Sequence, residues 1–120
     1  MNSRRPLIAG NWKMHKTGPE AVITAAALKP LVAEAVDVDI MIAPTFTALA
    51  QVSETITGSN IGLGAQNLYW ESQGAFTGEI SAEMLKAAGC QYVIIGHSER
   101  RQFFGETDQT VNRKIEKASQ

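Results

Sequence analysis

The chain has 120 residues, 44% of them hydrophobic, enough for the core of one modest domain. A formal charge of −1 and a pI near 6.1 give no footprint for a polyanion, which argues against nucleic acid as a partner. No apolar stretch approaches the roughly 20 residues that span a bilayer, so no membrane is expected, and two early arginines without a following apolar region make a poor secretory signal. Cys90 is the only cysteine, so an intramolecular disulfide is impossible. It reads as a small buried apolar residue in a reducing cytoplasm.

The first apolar run, Leu7 to Ala9, reads as a strand and delivers Asn11 and Lys13 just beyond its end. A helical segment follows, with Leu28, Leu31, Val32 and Ala35 at i, i+3, i+4 and i+7; Pro30 predicts a kink or short break in it. Ile40 to Ala43 is the second strand, and a shorter helix is predicted over Thr47 to Glu54 before the breaker Gly58. The third strand, Ile61 to Ala65, contains Gly62 and Gly64, which suit close backbone packing, and leads to Gln66 and Asn67. Ser81 to Ala88 is a helix with Ser81 as its cap and Gly89 as its terminator. The last strand, Tyr92 to Ile95, delivers His97, Ser98 and Glu99, and a final helix over Thr107 to Ser119 presents Val111 and Ile115 four residues apart.

The strands are near-continuous apolar runs, as in parallel sheets covered on both faces. The order βαβαβαβα predicts an α/β fold with a parallel sheet and right-handed crossovers, and leaves open whether the sheet is doubly wound or a barrel. In such folds ligands bind at the carboxyl ends of the strands, where Asn11, Lys13, Gln66, Asn67, His97, Ser98 and Glu99 gather. Lys13 suits a phosphate or a developing enolate oxygen, Asn11 offers an amide donor, and His97 can donate a hydrogen bond or move a proton. Each has a plainer reading: a lysine after a strand is ordinarily solvated, and Glu99, Arg100 and Arg101 ordinarily form a surface ion-pair cluster of little energetic weight. His15 reads as a surface residue. Neither a Gly-x-x-x-x-Gly-Lys loop nor a Gly-x-Gly-x-x-Gly loop is present, and the residues suggest no metal site. From the residues alone the chain has a cationic strand-end site for a small anion.

Four motifs then carry a resemblance over the whole chain: Gly10-Asn11-Trp12-Lys13-Met14, Gly64-Ala65-Gln66-Asn67, Gly74-Ala75-Phe76-Thr77-Gly78-Glu79, and Gly96-His97-Ser98-Glu99-Arg100-Arg101. Together, in this order, they resemble the triosephosphate isomerase family. The resemblance implies that residues 1–120 are four βα units, the N-terminal half of a (β/α)8 barrel. It implies a cytoplasmic enzyme of glycolysis and gluconeogenesis that interconverts dihydroxyacetone phosphate and glyceraldehyde 3-phosphate through an enediolate, without a cofactor. Lys13 would stabilise the substrate's negative charge, Asn11 would orient it, and His97 would be the neutral electrophile at the carbonyl. The turn starting at Ser98-Glu99 would support His97, and Glu99 would reach back to Lys13. Thr77 would insert into a neighbouring subunit near its catalytic residues, and Met14 would lie in the same homodimer interface.

The family's glutamate base, lid loop and most phosphate-gripping amides fall beyond position 120, since a full barrel has eight units and roughly 250 residues. Neither Glu99 nor Glu106 is expected to replace that base, so the 120 residues alone are expected to be inactive or nearly so. A half-barrel should expose its first and fourth strand edges, and its inward side chains should form an apolar patch. That predicts self-association or pairing with a complementary C-terminal half. The alternative functions are a small-anion binding module and a non-catalytic half-barrel assembly unit.

Overall fold

The computed structural model describes residues 4–120. Strand β1 (Leu7–Asn11) leads to helix α1 (Gly18–Val32), and β2 (Asp39–Ala43) passes through a 3-10 turn, Phe46–Ala48, into α2 (Leu49–Ile56). Then come β3 (Ile61–Ala65), α3 (Ala82–Ala87), β4 (Tyr92–Val93), α4 (Ser98–Phe103) and α5 (Asp108–Ala118). The strands are parallel, lie in the order β1-β2-β3-β4, and curl into a half-barrel. The radius of gyration, 14.9 Å, exceeds the roughly 13.6 Å of a compact chain of this length, and the molecule is only 26 Å thick. It is an open shell rather than a sphere.

The core lies between the sheet's outer face and the first two helices. Ile40 and Ile42 of β2 and Ile61, Leu63 and Ala65 of β3 meet Ala21 and Ala25 of α1 and Leu49, Val52 and Ile56 of α2. Small residues on α1 let it approach the strands closely. By strand alternation Met41, Gly62 and Gly64 face the inner wall. A Cβ at Gly62 would stand 2.7 Å from the Tyr92 ring, and one at Gly64 would stand 2.8 Å from the Met41 sulfur. The two glycines therefore make room for larger neighbours, which fill the inner wall from the side.

That filling narrows the expected apolar patch. At β2 the inner wall is covered, because Met41 and Ala43 are buried. The exposed apolar surface lies along β1, where Leu7, on the inner wall with Met41, is 47% exposed and Ile8, on the outer face with Ile40, is 58% exposed. As an edge strand, β1 has a ladder partner on one side only.

Local details depart from expectation in four places. Helix α1 runs through Pro30 without a break. Proline there removes one hydrogen bond in the last turn, and the helix ends two residues later, so the cost stays local. Leu31 points outward at 80% exposure; Leu28, Val32 and Ala35 hold the inward face. The fourth strand has ladder pairs only at Tyr92 and Val93, with one further bond from Ile94 N to Ala65 O at 2.8 Å. In α5 Ile115 is half-exposed, and the buried position is Lys114, at 4%. Ser81 does cap α3, its hydroxyl accepting from Met84 N at 3.2 Å.

Candidate active site

Parallel strands place their carboxyl ends at one rim, and the rim encloses a cleft of about 260 Å³. Asn11, the last residue of β1, turns its Oδ1 to accept from Lys13 N at 2.9 Å. Lys13 adopts φ +56°, a left-handed conformation uncommon for a long side chain. Its ammonium reaches across the cleft to Glu99 Oε1 at 3.1 Å. Gln66, just past β3, donates from Nε2 to Lys13 O at 2.9 Å and to Ala43 O at 2.8 Å.

His97 sits where β4 gives way to α4. The preceding Gly96 has φ +71°, and a Cβ there would press on Val111, so the turn that presents His97 requires glycine. The ring's Nδ1 accepts from Glu99 N at 3.1 Å. A ring nitrogen that accepts is unprotonated, which assigns the proton to Nε2 as a donor. Glu99 Oε1 also lies 3.8 Å from Nδ1, so one carboxylate stands beside both the lysine and the histidine.

Behind the cleft lies a buried ionic cluster. Glu106 takes Lys114 Nζ at 2.8 and 2.9 Å, the Thr110 hydroxyl at 2.8 Å and Arg100 Nε at 3.3 Å. Lys114 Nζ also donates to Asn67 Oδ1 at 2.9 Å. The cluster ties the end of β3 to α4 and α5, and Asn67 and Arg100 both line the cleft in front of it. Burial pushes the Glu106 carboxyl up, but Lys114, Thr110 and Arg100 together outweigh it and hold the carboxyl below its ordinary range. Elsewhere, burial alone pushes the half-buried Cys90 thiol up to about 11, which makes it a poor nucleophile.

Of the residues singled out in the sequence, Asn11, Lys13, Met14, His97 and Glu99 line this one cleft, with Met14 90% exposed. Ser98 is an exposed first residue of α4 outside the lining, and Thr77 lies on the exposed loop after β3, also outside it. His15 is exposed. The residue pattern gives Gln66 and Asn67 a place at the rim but no particular role, reads Arg100 as a surface ion-pair partner, and does not single out Lys114. Gln66 and Asn67 had a signal, their place after a strand; a lysine on a polar helix had none. Among the described residues no cluster of His, Cys, Asp and Glu could hold a metal ion. No helix there is long and apolar enough to cross a membrane.

The geometry can be set beside known proteins. The family model described as triosephosphate isomerase matches residues 6–120. The triosephosphate isomerase of Pelobacter propionicus is 61% identical over 115 residues, which are 96% of this chain and 46% of that protein. That of Endomicrobium trichonymphae is 58% identical over the same length and shares. The crystal structure of triosephosphate isomerase from Bartonella henselae superposes with a TM-score of 0.85 at 42% identity, covering 97% of this chain and 48% of that one. The chain spans about half the length of the curated relatives it matches. With four parallel βα units, a lysine and a histidine converging on one strand-end cleft, and a family match over nearly every residue, the chain belongs to the triosephosphate isomerase family.

Proposed function

We propose that this chain supplies the electrophilic half of an aldose–ketose isomerase site for a three-carbon sugar phosphate. The observation that carries the reading is the convergence of Lys13 Nζ and the His97 ring on one cleft, both beside Glu99 Oε1. Isomerisation between dihydroxyacetone phosphate and glyceraldehyde 3-phosphate takes a proton from the carbon next to a carbonyl, and negative charge moves onto the carbonyl oxygen. A fixed ammonium and an Nε2–H donor stabilise that oxygen as the charge develops. Asn11 holds the turn that carries Lys13. The reading calls for no cofactor. A cytoplasmic setting in glycolysis and gluconeogenesis, and a homodimer using Met14 and Thr77, belong to the same proposal by family.

Glu99 is the one carboxylate lining the cleft among the described residues, and the lysine engages it. The chain's own contribution is therefore substrate binding and charge stabilisation, with the proton-abstracting base supplied by other residues. Titration with glycerol 3-phosphate tests this directly. Saturable binding is expected, weakened about tenfold or more in Lys13→Ala, because a charge-assisted contact contributes on the order of 1.5–3 kcal/mol. Binding unchanged by Lys13→Ala would rule out this cleft as the anion site.

The exposed β1 favours a second property, self-association. Leu7 and Ile8 present apolar side chains on a strand with free backbone groups along one edge. At micromolar concentration the 120-residue chain should sediment as a dimer or larger species, paired through β1. A monodisperse monomer in sedimentation would remove this expectation.

A further inference from the structure

We infer that Gln66 is the positioning residue that holds Lys13 in its left-handed conformation and so aims the ammonium at the cleft; its functional consequence rests on the proposed anion site. A lysine at φ +56° crowds its Cβ against the following carbonyl, so it needs holding by its surroundings. Three contacts touch it. Asn11 Oδ1 accepts from Lys13 N at 2.9 Å, but Asn11 is only two residues away, at the end of the same strand, and fixes the start of the turn rather than the Lys13 carbonyl. Glu99 touches only the far end of the side chain, at 3.1 Å. Gln66 brings the one bond that reaches the Lys13 backbone from another strand among the described residues: its Nε2 donates to Lys13 O at 2.9 Å and to Ala43 O at 2.8 Å.

The orientation of that amide is unambiguous. Both partners are carbonyl oxygens, which only the NH2 end can satisfy, and the two bonds use both of its hydrogens. The amide therefore belongs to the protein's framework, although Gln66 lines the cleft. It links three strand ends. Gln66 follows β3, Ala43 ends β2, and Lys13 follows β1, 53 residues earlier in the chain.

Two substitutions separate the parts of this idea. Gln66→Met removes both donors at similar length, and Gln66→Glu sets a carboxylate oxygen against two carbonyl oxygens. In the full 120-residue chain, labelled for NMR, Lys13 should show the strong intraresidue HN–Hα cross-peak of a positive φ. Both variants should lose that intensity. Affinity for glycerol 3-phosphate should fall about tenfold in Gln66→Met, through loss of two hydrogen bonds that fix the lysine, and further in Gln66→Glu. If Gln66 served stability alone, the variants would melt earlier with the Lys13 cross-peak intact, and that result overturns the inference. Should a variant fail to fold, Lys13→Gly supplies the second arm, because glycine needs no clamp at this φ. In that background Gln66→Met should lower the melting temperature less than it does with lysine present; an equal drop overturns the inference. Absence of phosphate-ester binding in the parent chain, with the cross-peak still dependent on Gln66, would instead sink the proposed function and leave the positioning role standing.

Discussion

Replacing Glu106 with leucine should destabilise the chain by about 3–5 kcal/mol, the usual consequence of leaving one member of a buried ion pair without its partner. Lys114, whose side chain is 5% exposed, would keep only Asn67 Oδ1 as an acceptor for a full positive charge. Set against a total of about 5–15 kcal/mol for an ordinary domain, a loss of this size unfolds much of the population of an open half-barrel. The double substitution Glu106→Leu with Lys114→Met should recover most of the loss, because it removes the orphaned charge as well. Urea melts of the three proteins measure this; a single-variant loss below about 1 kcal/mol would mean that water reaches Lys114. Acid should act on the same cluster. The Glu106 carboxyl is lower in the folded chain than its ordinary value of 4.5, so folding favours the ionised form. Its contribution is whole above about pH 4.5 and is lost as pH falls below that, through the folded value. The double variant should therefore lose less stability than the parent as pH falls below about 4.5.

Why this cluster escaped the sequence while the strands did not is a matter of what each leaves in the residue pattern. A parallel strand must bury both faces, so Ile40 to Ala43 and Ile61 to Ala65 appear as unbroken apolar runs. The rim follows at once: whatever comes after each run shares one end of the sheet, which brings Asn11, Lys13 and His97 to one cleft. Lys114 announces nothing. It lies on a polar helix, and the apolar pair Val111 and Ile115 points the reading one position away from the true buried stripe. Only Glu106 and Asn67, eight and 47 residues distant in the chain, make its burial tolerable. Lys13 is similar in kind. No residue type there signals a positive φ, and the Gln66 amide that holds it arrives from two strands away. Pro30 misleads in the opposite direction, since its effect on a helix depends on how soon the helix ends.

Isomerase turnover that depends on His97 should be absent from the 120-residue chain and should appear when the C-terminal half of a relative, such as the Pelobacter propionicus enzyme, is added to it. Proton abstraction needs a carboxylate within about 3 Å of the proton it removes. Glu99 is held by Lys13 at 3.1 Å and stands on the His97 side of the cleft. Glu106 is 3% exposed, engaged by Lys114, and screened from the cleft by Asn67 and Arg100. Neither can turn to a bound sugar phosphate without breaking the contacts that define the site. A second half-chain pairing with β1 would cover Leu7 and Ile8 and could bring the missing base. In the reconstituted protein His97→Ala should reduce turnover by about 10²–10⁴-fold, the range for a positioned proton-transfer group. Lys13→Ala should weaken both turnover and glycerol 3-phosphate binding, since the ammonium acts on charge already present in the substrate as well as on charge that develops. The contrary result is equally informative. Turnover by the chain alone that vanishes in His97→Ala would require a base from within these 120 residues or a second copy of them, and loss of the same turnover in a Glu106→Gln chain that urea melts show to be still folded would identify it.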